Sequence, residues 1–469
     1  MIPNVLANRY ASAQMQAIWS PEGKIRAERQ LWIAVLKAQQ ALGVSVKPGA
    51  IEAYEAHVDD IDLDDIATRE AITKHDVKAR IESYNAAAGF EEIHKGMTSR
   101  DLTENVEQLQ VKQSLDVIRT RVIAALAVLA DQVAQHADTV LAARSHNVPA
   151  QPTTVGKRLA NTGEEILYAL NRLDDLIARY PLRGIKGPVG TQADMLTLLG
   201  SPEKVSELEH RVAEHLGVST VLTNTGQVYP RSIDFDVVAA MHQLASGPAN
   251  FARTIRLMAG QELATEGFLP GQVGSSAMPH KMNARSCERI NGFHSILAGY
   301  VTMATHITGD QWNEGDVSCS VVRRVVLPDT FFAIDGLMAT FLIVLGGLGF
   351  FDGMIAAELN RTLPFLATTT MLMQAVQQGA GREQAHEVIK THAVAAALAM
   401  REGEPNNLVT RLGQDPAFPL DEAQIEAILA NPSAFTGQAS AQAQAFVTEV
   451  ATLTAANPEA AAWRPGAIL

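Results

Sequence analysis

A long helical repeat of apolar residues restricts the fold of this chain more than any other feature of its sequence. The pattern begins near Asp101, which lies three residues before Glu104 and is a helix N-cap signal. Apolar residues then recur at steps of three and four, at Leu115, Ile118, Val122, Ala125 and Leu129. The pattern continues to about Ala143, which predicts a helix of roughly 40 residues and on the order of 60 Å. Such a helix needs a bundle of similar helices, or other subunits, to bury its apolar stripe.

Two further long helical patterns follow. The first runs from about Asp234 to Glu266, and we expect Gly247 and Pro248 to kink it rather than end it, because the apolar pattern resumes afterwards. The second runs from about Arg285 to Thr308. Strand-like alternation is rare, and aromatic residues make up only 5% of the chain. The sequence therefore predicts a nearly all-α protein.

The 469 residues divide into three regions by the length of their helical patterns. We expect an N-terminal helical domain over residues 1–105, a central long-helix domain over 106–353 and a C-terminal helical domain over 354–469. Polar, glycine-rich segments unsuited to a hydrophobic core separate the long patterns. They cover residues 94–101, 144–152, 184–191, 226–231, 270–283 and 312–324. Because rigid scaffolds commonly present functional loops, we expect the functional residues there.

Composition excludes several classes of function. A net charge of −13 and an isoelectric point of about 5.5 argue against nucleic-acid binding, although local Arg and Lys side chains can still bind small anions. Cys287 and Cys319 lack metal-ligand spacing and a disulfide framework, and the N-terminus lacks the layout of a signal peptide. The longest uncharged apolar stretch, residues 336–351, is shorter than a membrane span of ~20 residues. We therefore expect a cytoplasmic protein in which this stretch is a buried core helix.

The strongest chemical signal is the segment GSSAMPHKMN at residues 274–283. Its glycine permits close backbone approach to a ligand, and Ser275 and Ser276 can bind a carboxylate. Lys281 supplies positive charge where negative charge could develop. The segment is neither a GxSxG nucleophile elbow nor a phosphate-binding P-loop. Taken alone, a Gly-Ser segment is more often a flexible connector.

The same segment strongly resembles the GSSxMPxKxN signature of the fumarase/aspartase superfamily, and His280 within it is similar to the adenylosuccinate lyase family. Other segments resemble motifs of that family in the expected order. They contain Arg9 and Tyr10, then Lys74, His75 and Asp76, then His94, Thr98, Ser99 and Asp101, then Arg144, Ser145 and His146, then Gln227, and finally Ser320 and Arg324. The resemblance covers residues 1 to about 400.

The resemblance implies elimination of fumarate from adenylosuccinate and from the succinylated imidazole carboxamide ribonucleotide, with no metal or organic cofactor. Ser275 would be the base that takes the carbon-bound proton, and His146 the acid that protonates the leaving nitrogen. Lys281 and amides of the segment would stabilise the alkoxide of Ser275, and Glu288 resembles a supporting acid of the family. Positive charge and hydrogen-bond donors near the substrate carboxylate are the physical requirement of this reaction.

The other motif residues would bind the substrate. Those assigned to the succinyl carboxylates or their surroundings are Thr98, Ser99, Ser276, Met282 and Asn283. Those assigned to the phosphate are Arg9, Tyr10, Ser320 and Arg324, since guanidinium groups suit phosphate. Those assigned to the rest of the pocket are Lys74, His75, Asp76, His94 and Gln227. For any single Arg, Lys or His, a surface charge or a structural role is the alternative.

Three positions depart from the family pattern. Ala284 follows the signature where proline is frequent, and Ser145 replaces a threonine before His146. Gly315 lies near the place of a frequent arginine, so a phosphate anchor could be missing. Arg289 and Arg323 are candidates to replace it.

The resemblance also implies a three-domain all-α subunit in a homotetramer, whose long helices form a shared bundle and whose active sites each draw loops from three subunits. Two alternatives remain. One is another lyase of the superfamily, such as argininosuccinate lyase or a carboxymuconate cycloisomerase, against which His280 and the Lys74–Asp76 context argue. The other is a helical scaffold without catalysis, against which the presence of Ser275, Lys281 and His146 argues.

Overall fold

The computed structural model describes residues 3–267, 278 and 280–466. Within these residues the chain is predominantly helical, and paired strands are confined to two small antiparallel sheets. The prediction of a mostly α-helical fold is therefore confirmed.

Short and medium helices form the N-terminal part. They are α1 (Val5–Tyr10), α2 (Ala13–Trp19), α3 (Pro21–Ala41), α4 (Ala50–Ala56), α5 (Leu63–Thr73) and α6 (Asp76–Ala88). Side-chain caps begin several of them; for example, Ser20 Oγ accepts a hydrogen bond from Gly23 N at 2.9 Å at the start of α3. Trp32, Tyr54 and Tyr84 are fully or almost fully buried where α3, α4 and α6 meet.

The longest helix, α7 (Ser99–Gln135), has 37 residues and differs at both ends from the prediction. Thr98, rather than Asp101, is its N-cap, and Asp101 lies at the third helical position, where its carboxylate accepts a hydrogen bond from Thr98 N at 2.8 Å. The predicted continuation to Ala143 is wrong. Residues Val140–Ser145 instead form strand β1, which pairs with strand β2 (Val148–Thr154). Pro149 and Pro152 in β2 disfavour a helix there.

The central part contains the remaining long helices. The elements are α8 (Val155–Arg179), α9 (Ala193–Leu199), α10 (Pro202–His215), α11 (Ser232–Gly260), β3 (Ala264–Thr265), α12 (Arg285–Ile307), α13 (Cys319–Gly347) and β4 (Gly349–Phe350). Helix α11 continues through Pro248, as predicted, but ends before Glu266. Helix α12 matches its predicted bounds, with Thr308 as its C-cap.

Helices α7, α8, α11, α12 and α13 pack around the main hydrophobic core. The five apolar residues that predicted the stripe on α7 are all buried in this core. Strand β3 pairs with β4, so the end of α11 and the end of α13 lie close together.

Helix α13 begins inside the segment that we predicted to be a loop over residues 312–324. Its most apolar window of 18 residues has a mean hydropathy of 1.8, and 83% of that window is buried. Among the described residues, this is the one helix long and apolar enough to span a membrane, but core helices of soluble proteins have the same properties. Most of its second half, which includes Leu337, Phe341 and Leu345, is buried as the sequence predicted, while Ile343 is exposed.

The C-terminal part returns to shorter helices. They are α14 (Asp352–Leu366), α15 (Thr368–Gln377), α16 (Arg382–Arg401), α17 (Leu408–Gly413), α18 (Glu422–Leu429), a 3₁₀ turn (Pro432–Phe435), α19 (Ala439–Ala456) and α20 (Pro458–Ala462). Helices α15 to α18 share a separate apolar cluster, whereas Phe446 and Val450 of α19 pack into the main core. The residues at which the expected domains meet, 105 and 353, lie within α7 and α14.

Residues 181–187 are buried, although their composition predicted an exposed loop. Their backbone groups are satisfied by side chains of α7: Asn105 Oδ1 accepts from Gly184 N at 2.9 Å, and Gln108 Oε1 accepts from Arg183 N at 2.6 Å. Side chains that replace water as hydrogen-bond partners make it possible to bury a polar segment.

Asp101 is the centre of this arrangement. Its fully buried carboxylate accepts hydrogen bonds from Arg183 Nη1 at 2.6 Å, Lys186 N at 2.8 Å and Gly187 N at 2.9 Å. Arg183 in turn donates to the carbonyl oxygens of Gly187 and Gly226, both at 2.9 Å. One carboxylate therefore fixes two of the polar segments that the sequence marked as functional.

A second buried ionic network joins α7 to the starts of α11 and α13. Arg323 donates from Nε to Asp234 Oδ2 and from Nη1 to Glu107 Oε2, both at 2.7 Å, and also to Tyr229 OH. Burial lowers the pKa of Arg323, but the neighbouring carboxylates outweigh it and raise that pKa overall. Arg323 is therefore a structural cation.

We predict that Asp101→Asn destabilises the protein by about 3–5 kcal/mol, because it leaves the buried Arg183 without a counter-charge. The matched control is Asp116→Asn on the same helix, where a side chain that is 50% exposed pairs with Lys112 at 3.4 Å. Denaturant unfolding of both variants measures the difference. Equal stability of the two variants would contradict the account.

Candidate active site

The segment that resembles the lyase signature is anchored at both of its ends. Glu266, just before the segment, accepts hydrogen bonds from the first amides of α12: Ser286 N donates to Oε1 at 2.9 Å and Cys287 N to Oε2 at 2.8 Å. These amides have no partner within the helix, and the carboxylate also suits the positive end of the helix dipole. Ser275 and Ser276, the predicted base and a predicted carboxylate ligand, lie outside the described residues.

A cavity of about 1000 Å³ lies beside this segment. Lys281, Met282, Asn283 and Glu288, all predicted site residues, line it together with His280. Arg253 and Arg256 of α11 also line it, and the sequence reasoning missed both. Three cationic side chains around one cavity suit a substrate with several carboxylates.

His146 occupies the tip of the β1–β2 hairpin, so the predicted loop over residues 144–152 is instead a pair of strands. His146 and Asn147 have φ values of 53° and 62°, as in the two-residue turns that connect tightly paired strands. Arg144 holds the tip, since its Nη1 donates to Asn147 O at 2.9 Å while its Nη2 pairs with Glu358 of α14. The imidazole of His146 is exposed at the surface of the chain.

A second cavity of about 340 Å³ adjoins the hairpin. Its lining includes Asn147 of the tip, Arg158 of α8 and Leu257 of α11. Leu257 lines the larger cavity as well. The two cavities therefore share Leu257 near the end of α11, which places the hairpin and Lys281 at the same end of the helical bundle.

The motif residues before α7 form another group. His75 Nε2 lies 3.5 Å from Ser99 Oγ, and His75 Nδ1 accepts from Lys78 N at the start of α6. Lys74, with a φ of 54°, ends α5 and is exposed. Thr98 caps α7 next to Ser99. The structure therefore brings His75 and Ser99 together, with Lys74 and Thr98 next to them in the chain.

Asp76 and His94 belong to the same region. Burial raises the pKa of Asp76, but Arg80, whose Nη2 donates to Asp76 Oδ2 at 3.1 Å, outweighs it and lowers that pKa. Burial lowers the pKa of His94, whose Nδ1 accepts a hydrogen bond from the indole of Trp32 at 3.0 Å. Trp32 is a contact that sequence reasoning missed, because the two residues are far apart in the chain.

The predicted phosphate residues lie in two places. Arg9 and Arg289 both approach the ring of Tyr10, with guanidinium carbons 5.9 Å and 5.7 Å from its centroid. Arg289 therefore lies beside two of the predicted phosphate residues, Arg9 and Tyr10, whereas the donors of Arg323 bind buried partners. Ser320 and Arg324 lie in the first two turns of α13 rather than in a loop, and Arg324 is exposed.

Gln227 packs against the segment that contains Gly315. Gln227 N donates to Glu314 O at 2.5 Å, and a Cβ added at Gly315 would lie 3.0 Å from Val228 Cγ2. Gly315 also has a φ of 135°, which larger residues rarely adopt. These contacts explain why glycine, rather than the arginine frequent in the family, occupies this position.

The site residues of one chain lie at two ends of the bundle. The starts of α7, α11 and α13 share the Arg323 network, so Thr98, Ser99 and Gln227 lie at that end. His146 and Lys281 lie at the other end, near the end of α11. Helix α7 alone is about 55 Å long at 1.5 Å per residue. Among the described residues, no group of three or more His, Cys, Asp and Glu side chains could hold a metal ion.

Comparisons with known proteins identify the family. A lyase family model matches residues 8–299, and the model of the adenylosuccinate lyase C-terminus matches residues 364–446. The adenylosuccinate lyase of Saccharomyces cerevisiae is 35% identical over 452 residues, which cover 94% of this chain and 93% of that protein. The chain belongs to the adenylosuccinate lyase family. The adenylosuccinate lyase of Schizosaccharomyces pombe is 33% identical over a match that covers 95% of this chain and 93% of that protein.

A solved structure supports the fold independently. The 3-carboxy-cis,cis-muconate lactonizing enzyme of Pseudomonas putida superposes with a TM-score of 0.81, and the match covers 96% of this chain and all of that one. At 21% sequence identity, this likeness shows the shared fold alone.

We predict that Glu266→Gln speeds hydrogen exchange of the Ser286 and Cys287 amides about tenfold, because an amide side chain cannot accept both bonds and a bond to a charged group contributes about 1.5 kcal/mol. The same substitution at the exposed Glu402 is the control. Exchange measured by mass spectrometry on peptides from the start of α12 tests this, and unchanged protection would contradict the anchoring role of Glu266.

Proposed function

We propose that this protein eliminates fumarate from adenylosuccinate to give AMP, and from the succinylated imidazole carboxamide ribonucleotide (SAICAR) to give AICAR, in purine nucleotide biosynthesis. The observation that carries the proposal is similarity to adenylosuccinate lyases along nearly the whole chain. The cationic cavity beside the signature segment supports it, since the substrates carry several anionic groups. The proposed cellular location is the cytoplasm, and no cofactor is part of the proposal.

In the proposed reaction the alkoxide of Ser275 takes a proton from the succinyl carbon next to a carboxylate and becomes a hydroxyl group. The electron pair left on that carbon delocalises into the carboxylate, where Lys281 and the cavity arginines stabilise the developing charge. The C–N bond then breaks, its electrons leave with the nitrogen, and protonated His146 donates a proton to that nitrogen. The exposed position of His146 on a firmly held hairpin suits a group that reaches a substrate.

Substrate binding is assigned to the remaining groups. We propose that Thr98 and Ser99, with Ser276, Met282 and Asn283, surround the succinyl group. Glu288 lines the same cavity as Lys281 and acts there as a supporting acid. Arg9, Tyr10, Ser320 and Arg324 hold the phosphate, and Arg289 joins them because it lies over the Tyr10 ring. Lys74, His75, Asp76, His94 and Gln227 complete the pocket.

We further propose a homotetramer in which each active site takes residues from three subunits. Thr98 and His146 lie at opposite ends of the bundle, so one chain cannot bring both to a single small substrate. The long helices also expose apolar side chains: Tyr168 by 71%, Leu257 by 49%, Val325 by 42% and Ile343 by 41%. Such surfaces on central helices are suited to subunit contacts. Domains over residues 1–105, 106–353 and 354–469 remain part of this proposal.

The first prediction is that purified protein converts adenylosuccinate to AMP and fumarate, followed by the change in ultraviolet absorbance. Argininosuccinate serves as the specificity control, and no turnover of it is expected. Turnover of argininosuccinate with none of adenylosuccinate would contradict the proposal and favour the other lyases of the superfamily.

The second prediction concerns the acid and the base. Ser275→Ala and His146→Ala each lower kcat by about 10²–10⁴-fold, the usual contribution of a proton-transfer group, and leave the assembly size unchanged. The exposed His386 on α16 provides a control, since His386→Ala should keep full activity. Near-normal activity of either active-site variant would overturn the role assigned to that residue.

A further inference from the structure

His94 is held in an unusual way at the entrance to α7. Its backbone has a φ of 68°, in the left-handed region that residues other than glycine seldom adopt. Its ring meets the indole of Trp32 edge-on, with centroids 6.1 Å apart and planes at 78°. Trp32 Nε1 lies 3.0 Å from His94 Nδ1. Because Trp32 is only 1% exposed, this contact is shielded from water.

The surrounding segment is fixed by the same face of α3. Gln39, two helical turns after Trp32, donates from Nε2 to Lys95 O at 2.8 Å. Asp101 holds the next part of the segment by accepting from Thr98 N. The position of the His94 ring is therefore set by contacts on both sides of it.

The chemistry of an indole decides the protonation of His94. Indole N–H is a donor and has no lone pair to offer, so Trp32 can only donate. His94 Nδ1 must then carry a lone pair, and in the neutral ring the proton lies on Nε2. Protonation of Nδ1 would break a buried hydrogen bond and place two N–H groups against each other.

We propose that Trp32 is a positioning residue that fixes His94 as a neutral imidazole with its proton on Nε2, and that His94 donates this proton in a hydrogen bond to an anionic oxygen of the substrate without transferring it. The identity of the acceptor rests on the proposed function, whereas the tautomer does not. His94 and His146 then have separate roles: one is a fixed donor and the other transfers a proton.

The electrostatic surroundings agree with a neutral ring. Burial is the largest influence and lowers the pKa of His94. The titratable groups that act on it are Asp101 of α7, which raises this pKa, and His75 before α6, which lowers it. The lowering influences prevail, so His94 stays neutral at pH values where an ordinary histidine begins to take up a proton.

Neutron diffraction on the deuterium-exchanged protein tests the tautomer without any need for activity. The expected result is a deuteron on His94 Nε2 and none on Nδ1, with the Trp32 deuteron directed at Nδ1. A deuteron on His94 Nδ1 would overturn the proposal. The same result in a protein that does not turn over adenylosuccinate would uphold the tautomer while rejecting the proposed function.

Two substitutions at His94 test the donor role. His94→Gln places an amide N–H where Nε2 lies and should keep kcat/KM within about 5-fold of wild type. His94→Leu removes the donor and should lower kcat/KM about 10- to 100-fold, as expected for a bond to a charged group. Equal losses in both variants would show that the proton is transferred, and would overturn the proposal. If fumarate inhibits His94→Leu more weakly than it inhibits wild type, the acceptor is a carboxylate; if AMP inhibits this variant more weakly, the acceptor is the phosphate.

Trp32→Phe tests the positioning role while keeping an aromatic ring in the core. As the pH decreases below 7, the kcat/KM of Trp32→Phe should fall more steeply than that of wild type, because His94 Nδ1 can then be protonated. Trp19→Phe is the matched control, since the Trp19 indole also donates to a side chain, Ser114 Oγ at 2.9 Å, in another part of the fold. A pH profile of Trp32→Phe that coincides with the control would contradict the positioning role, and His94→Gln remains decisive if Trp32→Phe fails to fold.

Discussion

The buried carboxylate of Asp101 is the interaction on which much of this structure depends. It caps α7 through Thr98 N, neutralises Arg183 and accepts from two backbone amides of the following segment. A charge without water is stable only when its partners are complete. Through these partners, one residue sets the start of the longest helix and the position of the segments that carry Ser99 and Gln227.

At the other end of the bundle, fixed helices likewise hold the groups that are proposed for chemistry. There Glu266 anchors the signature segment to α12, and Arg144 anchors the hairpin tip to α14. Both contacts are made by charged side chains: Arg144 forms an ion pair, and Glu266 accepts hydrogen bonds from amides at a helix end. His146 and Lys281 are therefore presented by fixed supports at this end, whereas Thr98 and Ser99 lie at the far end, and in the proposed tetramer separate chains bring the two sets together.

The sequence predicted what depends on local spacing. The stripe from Leu115 to Leu129, the continuation of α11 through Pro248 and the bounds of α12 all follow from periodicity, and the family follows from the order of short motifs. It did not predict contacts between distant residues. In the sequence alone Asp101 resembles an N-cap. Its hydrogen bond with Arg183, 82 residues later, leaves no local pattern that would indicate its other role. Periodicity does not reveal the β1–β2 hairpin, because its strands are short and β2 contains two prolines. Arg253 and Arg256 meet Lys281 only once α11 and α12 pack side by side.

The central claim is that residues from different chains complete each active site, and subunit mixing tests it most directly. His146→Ala and Ser99→Ala proteins, altered at opposite ends of the bundle and each shown to be inactive alone, are unfolded together, refolded and confirmed as mixed assemblies by mass spectrometry, with each variant refolded alone as the control. If the two residues act in one site but come from different chains, some sites receive both native residues and activity returns to a measurable fraction of wild type. Confirmed mixed assemblies that stay as inactive as the separate variants would contradict the account.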